Sequence, residues 1–287
     1  MLGYDGGFFM EYIIHFLRKQ NHNISIKTVI DYFESKEIVR INYSDTQAIF
    51  NFYNEASGIN FSFFITKRSN LDGIFIDASY YNLNFYVSFP VIRCEAITFY
   101  TLDIINEMCK LFDLYIYCNF ISEITTFNIE NHYMIWKNLR LKYLFQEKDN
   151  LFYMKKEMIK QIFTYQQNYK SYYFKTKEEL VTFNRLYLLA DKQNNILITL
   201  DFDSTKPVFI PSFIEYIRLT IDNNVYLYSL DDFLSIARSI LSKGPSSVIP
   251  GYYLKEKNKK KLRQLIDYRR KIFNNKFVIS VKDLMDI

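Results

Sequence analysis

Asp201, Asp203 and Thr205 lie in the stretch "ILITLDFDST", where an apolar strand runs out into D-x-D-x-T. This is the sharpest candidate for bond-making chemistry in the 287 residues. The three histidines, His15, His22 and His132, offer less. None stands at i, i+4 to another and none lies at ligand spacing from a cysteine, so no metal site is expected. His15 reads as a partly buried packing residue of a first helix. Cys94 followed by Glu95 sets a nucleophile beside an acid, and a helix N-terminus there would depress the thiol pKa. No base is placed to serve it, so Cys94 reads as structural. The motifs GxSxG, GxGxxG and the P-loop are absent. No catalytic set and no cofactor are expected.

The D-x-D-x-T pattern resembles the first motif of haloacid-dehalogenase-type phosphatases. That resemblance implies Asp201 as phosphoryl acceptor and Asp203 as acid/base, both beside Mg²⁺. Asp231-Asp232 would then imitate a late metal motif. Three points weigh against it. The motif should open a βαβ domain, yet Lys206-Pro207 leads into another strand. Only 86 residues follow Asp201. A second resemblance, given below, assigns the same stretch to a hairpin. A polar turn at a strand end is the competing reading.

Those residues must be held by a core, and the chain can build one. A hydrophobic fraction of 49% with 23% charged residues is the balance of a folded globular chain. Its 27 Phe, 25 Tyr and one Trp are abundant, while Gly and Pro are scarce. Lys, Asn, Ile, Tyr and Phe share A/T-rich codons, so the aromatics read first as core and hairpin packing. The net charge of +5 is uneven: Lys255 to Lys276 carries +8, which leaves −3 for the remainder. Cys94, Cys109 and Cys118 form no CxxC pair and leave an odd one over, which predicts reduced thiols. "FFMEYIIHFL" is broken by Glu11 and His15, and no apolar run approaches a membrane span of about 18 residues. A cytoplasmic protein is expected.

The patterning predicts an α+β fold. Phe8–Lys19 places Phe9, Tyr12, Ile13, Phe16 and Leu17 at helical spacing, and Ser25 is a plausible N-cap for "IKTVIDYFES". Four runs of period two follow: "EIVRINYS", "QAIFNFYN", "INFSFFIT" and "IFIDASYYNLNFYVSF". Their short links, with Ser44-Asp45 at one turn and Gly58 at another, predict an antiparallel meander. Ala96 to Phe112 reads as a helix across it, "DLYIYC" as a strand, and residues 128–168 as one helical stretch. A smaller α+β unit begins near Phe183, and "LDDFLSIARSILS" closes it as a helix stopped by Gly244-Pro245. "GPSSVIPG" reads as a linker to a basic helix with Leu262, Leu265, Ile266 and Phe273 as its apolar stripe. The expected divisions are 1–150, 151–244 and 245–287.

Two partner classes follow from the residues. Lys259, Lys260, Lys261, Arg263, Arg269, Arg270 and Lys271 could meet phosphates, with Tyr252, Tyr253 and Tyr268 stacking on bases. The slightly acidic body opposes that, and a docked amphipathic helix with solvated lysines is the plainer reading. Abundant aromatics also suit a protein interface, where they bury large area at low rotamer cost.

The stretches "YNEASGINFSF", "LNFYVSFPVIRCEAITF" and "KLFDLYIY" together resemble a bacterial protein family of unknown function. That family combines a "Y…TG-(V/I)-F-F" hairpin strand, "FNINYxRP" with an "EA" helix, and "FDLYI". "DKQNNILITLDFDSTKPVFIPSFIEYIRL" is similar to its later portion. Ser57 replaces the usual Thr, Arg93 falls after a Pro-Val-Ile insertion, no Trp lies near Asp203, and the basic tail has no counterpart. The resemblance implies an accessory or immunity protein encoded beside a bacterial toxin. A non-enzymatic protein that neutralises its partner by steric occlusion is therefore the leading expectation, and nucleic-acid association through the basic segment is the alternative.

Overall fold

The computed structural model describes residues 10–19, 24–68, 71, 76–144, 151–176, 180–190, 194–203, 207–221, 224–244, 249–265 and 277–286. Among them are six α-helices and 19 strands, an α+β fold. The chain divides into two units: 1–156 with 282–287, and 157–281. No helix among the described residues is long and apolar enough to cross a membrane.

The first unit opens with β1 (Glu11–Lys19) and α1 (Ile26–Glu34), then β2 (Val39–Tyr43), β3 (Gln47–Asn54), β4 (Ile59–Thr66) and β5 (Tyr80–Pro90). Next come α2 (Glu95–Phe112), β6 (Tyr115–Cys118), β7 (Ile121–Thr126), α3 (Ile129–Leu144) and β8 (Phe152–Met154). Seven strands form one sheet in the order β2-β3-β4-β5-β1-β6-β7, antiparallel at every step. The strand Leu284–Asp286 pairs in parallel with β8.

The meander β2–β5 follows the period-two pattern. At its turns Ser44 Oγ accepts from the Gln47 amide, and Gly58 takes φ 75°, a left-handed value that disfavours any Cβ. Of the long run expected from residue 74, residues 74–75 lie outside the described residues, and β5 begins at Tyr80 after a turn in which Asp77 accepts from both the amide and the hydroxyl of Ser79. Inside, Phe33 of α1 stacks on Phe50 at 4.3 Å and packs on Phe63 at 4.9 Å, while Phe52 stacks on Phe61 at 4.5 Å. These rings, with Ile97, Ile105 and Met108 of α2, make the core.

The first helix expected at Phe8–Lys19 is instead β1, an interior strand between β5 and β6 (Phe8 and Phe9 lie outside the described residues). Tyr12, Ile14 and Phe16 point to the core, and His15 and Leu17 on the opposite side are buried as well. A strand buried on both faces gives a near-continuous apolar run, which helical spacing also fits. The helical stretch expected over 128–168 is interrupted by β8, and β7 precedes it unforeseen. Ser25 sits at the start of α1 in extended geometry, but its side chain makes no capping bond.

The second unit contains α4 (Lys156–Asn168, beginning at the boundary), β9 (Tyr173–Lys175), β10 (Leu180–Phe183), β11 (Leu186–Ala190) and β12 (Ile196–Asp203). β13 (Val208–Pro211), β14 (Tyr216–Ile221), β15 (Asn224–Ser229), α5 (Leu230–Ala237), β16 (Leu241–Lys243), β17 (Gly251–Leu254), α6 (Lys259–Leu265) and β18 (Phe277–Ile279) complete it. Two five-stranded sheets result, β16-β17-β13-β10-β9 and β15-β14-β12-β11-β18. Gln166 of α4 ties into the second sheet's β11 by donating to the Leu186 carbonyl at 2.8 Å and accepting from its amide at 3.1 Å.

The helix expected over Leu230–Ser242 stops at Ala237, because Leu241–Lys243 leaves to pair with β17. Residues 245–248 of "GPSSVIPG" lie outside the described residues, and Gly244 and Gly251 on either side both belong to the second unit. The Gly244 amide donates to the Gly251 carbonyl at 3.0 Å, and both flanks are sheet. The segment expected as a separate tail from 245 contributes β17, α6 and β18 to the second unit. Among the described residues the basic helix is α6: Leu262 is fully buried, Leu265 is 42% exposed, and Ile266, Tyr268 and Phe273 lie outside the described residues.

Candidate functional site

Alternation sends every second residue of the seven-stranded sheet away from the Phe-rich core. On that second face four rings stand opposite one another across four neighbouring strands. Phe64 on β4 faces Tyr86 on β5, Tyr86 faces His15 on β1, and His15 faces Tyr117 on β6. Phe64 and Tyr86 stack at 4.8 Å with planes 9° apart, and the next two centroid separations are 5.6 and 6.4 Å. Ile49 on β3 extends the row beyond Phe64. Phe64, Tyr86 and Tyr117 are half-buried, and His15 between them is buried. Burial lowers the His15 pKa to about 4, so its ring is neutral near pH 7.

A second row runs beside the first. Asn51, Ser62, Ser88 and Ile13 are opposite one another in register across β3, β4, β5 and β1. Ser62 Oγ donates to Asn51 Oδ1 at 2.7 Å, and Ser88 Oγ donates to Glu11 Oε2 at 2.7 Å. An aromatic row flanked by short hydroxyl and amide side chains provides rigid contact area next to adaptable hydrogen-bonding groups, a combination that favours recognition of protein surfaces.

The helices of this unit engage the other face. α1 packs on Phe50 and Phe63, Tyr100 of α2 meets Phe61, and α3 reaches Tyr12. α3 is docked by polar contacts. Its inward residues at i, i+4 and i+8 are His132, Trp136 and Arg140, all buried. His132 Nδ1 and the Tyr12 hydroxyl share a hydrogen bond of 2.9 Å, and Trp136 Nε1 donates to the Val91 carbonyl at 2.9 Å. Arg140 Nη1 donates to Asp286 Oδ2 at 2.8 Å, while Asp286 Oδ1 accepts from the Glu95 amide at 2.8 Å. One carboxylate thus joins α2, α3 and the strand Leu284–Asp286.

Cys94 stands at the N-cap of α2. Desolvation nevertheless raises its thiol to about 11, so it is protonated near pH 7 and is not a thiolate nucleophile. Glu95 beside it forms an ion pair with Lys156. Cys109 and Cys118 are likewise buried free thiols.

Asp201 lies on β12 and its carboxylate is held in a two-pronged ion pair by Arg218 of the adjacent parallel strand β14. The Arg218 guanidinium also covers the Tyr187 ring at 5.0 Å. Asp203 ends β12, which is followed by β13 and not by a helix, while Thr205 and Lys206 lie outside the described residues. Asp231 and Asp232 occupy the first turn of α5, where the Asp232 amide donates to Ser229 Oγ at 3.1 Å. Among the described residues no group of three or more His, Cys, Asp or Glu is arranged to hold a metal ion, and His22 lies outside them.

Of the basic residues, Lys260, Lys261 and Arg263 are exposed on α6. Lys259 opens that helix, and Arg269, Arg270 and Lys271 lie outside the described residues. No protein-family model, no curated protein and no solved structure matches the chain.

Sequence reading missed the ring row and the Arg140–Asp286 pair. The row's one early signal is period two within each strand, but which strands are neighbours decides which rings meet.

Proposed function

We propose that this chain acts without making or breaking bonds, by binding a protein partner through the second face of its seven-stranded sheet. The observation that carries this reading is the row Phe64–Tyr86–His15–Tyr117, half-exposed at three of its four rings and continuous across four strands. Rings already held by their neighbours lose little rotamer freedom on binding, which is how aromatic anchors gain affinity. The adjacent Ser and Asn groups would serve a polar rim. The partner best suited to the resemblance noted above is a bacterial toxin, neutralised by covering its working surface.

Co-expression with the product of the neighbouring gene tests this. The wild type should relieve toxicity and co-elute with that product on gel filtration. Tyr86→Ala with Tyr117→Ala should lose both effects while keeping the circular dichroism spectrum of the wild type. Persistent toxicity with no complex in the wild type would overturn the proposal. Unchanged complex formation in the double variant would move the interface elsewhere.

A further inference from the structure

In the first unit, β1 and β5 do not pair evenly. Phe16 is opposite Phe85, and the next residue, Leu17, is opposite Asn82, so Leu83 and Asn84 have no partner on β1. The bulge is built, not frayed. Asn84 adopts φ 52°, its amide donates to Asn82 Oδ1 at 2.9 Å, and its carbonyl accepts from Thr66 Oγ1 at 3.3 Å. Bulges re-aim side chains and are over-represented at sheet edges and next to active sites. Here Leu83 is turned to line a cavity of about 310 Å³ together with Ile24, Val29, Ile65, Phe85 and Leu114. Tyr81 and Asn82 supply the cavity's polar side chains, and among the described residues no charged side chain lines it.

The charge lies one step away. Arg18 is directly opposite Tyr81 in the β1–β5 register, and opposed residues of an antiparallel pair share a face. Arg18 is also two residues on from Phe16, whose partner Phe85 lines the cavity, so Arg18 stands on the cavity side. Its Nε is buried without a hydrogen-bond partner, and among the described residues no carboxylate pairs with its guanidinium. A partly buried guanidinium without an anion, beside an apolar hollow, is complementary to a ligand with a negative head and a greasy tail.

We infer that the first unit binds a carboxylate-headed aliphatic chain, with the tail in the cavity behind Leu83 and the head on Arg18. The cavity has about twice the volume of the roughly 150 Å³ hollow that holds the six carbons of benzene, so a tail of about eight to twelve carbons fits. The site lies on the helix-covered side of the sheet and is independent of the proposed protein-binding face.

Isothermal titration of the full chain with decanoate, and separately with decan-1-ol, both below their aggregation limits, tests the inference. Decanoate should bind saturably at one site. Arg18→Gln should weaken decanoate about tenfold or more, the loss expected when a charge-assisted hydrogen bond is removed, and leave decanol affinity unchanged. Leu83→Trp should abolish binding of both, with circular dichroism confirming the fold. Should that variant fail to fold, Leu83→Phe is the smaller intrusion and should weaken both. Absence of saturable decanoate binding in the wild type, or undiminished binding in a folded Leu83 variant, overturns the site. Undiminished decanoate affinity in Arg18→Gln overturns the head-group assignment.

Discussion

Acid should loosen the first unit through one ring. His132 is 1% exposed, is stacked at 4.6 Å on Phe127, bonds Tyr12 through Nδ1, and has a buried Nε2 with no partner. Protonation would bury a charge, and desolvation accordingly lowers its pKa from 6.5 to about 4. Between those values the unfolded chain takes up a proton that the folded chain refuses. The stabilisation is therefore complete above pH 6.5 and is lost progressively as pH falls toward 4. At about 1.4 kcal/mol per pH unit, that is roughly 3 kcal/mol over the whole window and about 2 kcal/mol by pH 5. His132→Phe keeps the stacking and cannot titrate. It should cost about 1–2 kcal/mol at pH 7.5 through the lost Tyr12 bond, yet close that gap by pH 5. Urea unfolding followed by the fluorescence of Trp136, the only tryptophan, reports this unit alone. His15 shifts in the same direction, but it is present in both proteins and cancels in the difference. Parallel decline of wild type and His132→Phe from pH 7.5 to 5 would refute the argument.

Two further outcomes concern packing. Arg140→Ala strands Asp286, a carboxylate with 7% of its side chain exposed, and should destabilise the first unit by about 3–5 kcal/mol in the same urea assay, with Asp286→Asn milder. In the second unit, a Cβ at Gly251 would collide with the Ile210 carbonyl and the Phe209 ring, whereas one at Gly244 meets only that ring. Gly251→Ala should therefore cost about 1–3 kcal/mol and exceed Gly244→Ala, because backbone cannot turn aside as a ring can. Differential scanning calorimetry of the two variants checks the order.

The α+β class and the meander β2–β5 were legible because half-buried antiparallel strands alternate and their turns are short. β1 was not, for the opposite reason. Tyr12 to Leu17 is apolar but for His15, with residues of both phases buried, and periodicity within twelve residues cannot separate such a strand from an amphipathic helix. Its place in the sheet comes from pairing with β5 and β6, about 70 and 100 residues further along the chain. The strand Leu284–Asp286 raises the same difficulty over a longer span. Nothing local in "LMD" announces a partner in β8 or an ion pair with Arg140.

The candidate face depends on that same missing step. Phe64, Tyr86 and Tyr117 each stand on the outward phase of their own strand, so alternation alone assigns them to one side of a sheet. They become a continuous row only because β1 enters between β5 and β6 and sets His15 in the gap. Had Phe8–Lys19 been a helix, β5 and β6 would lack the strand that bridges them, and Tyr86 and Tyr117 would not be joined through His15. The residue that read as ordinary helix packing is thus the one that makes the row continuous. For the same reason, a substitution that spoils β1, such as Ile14→Pro, would disrupt the proposed binding face without touching any of its exposed rings.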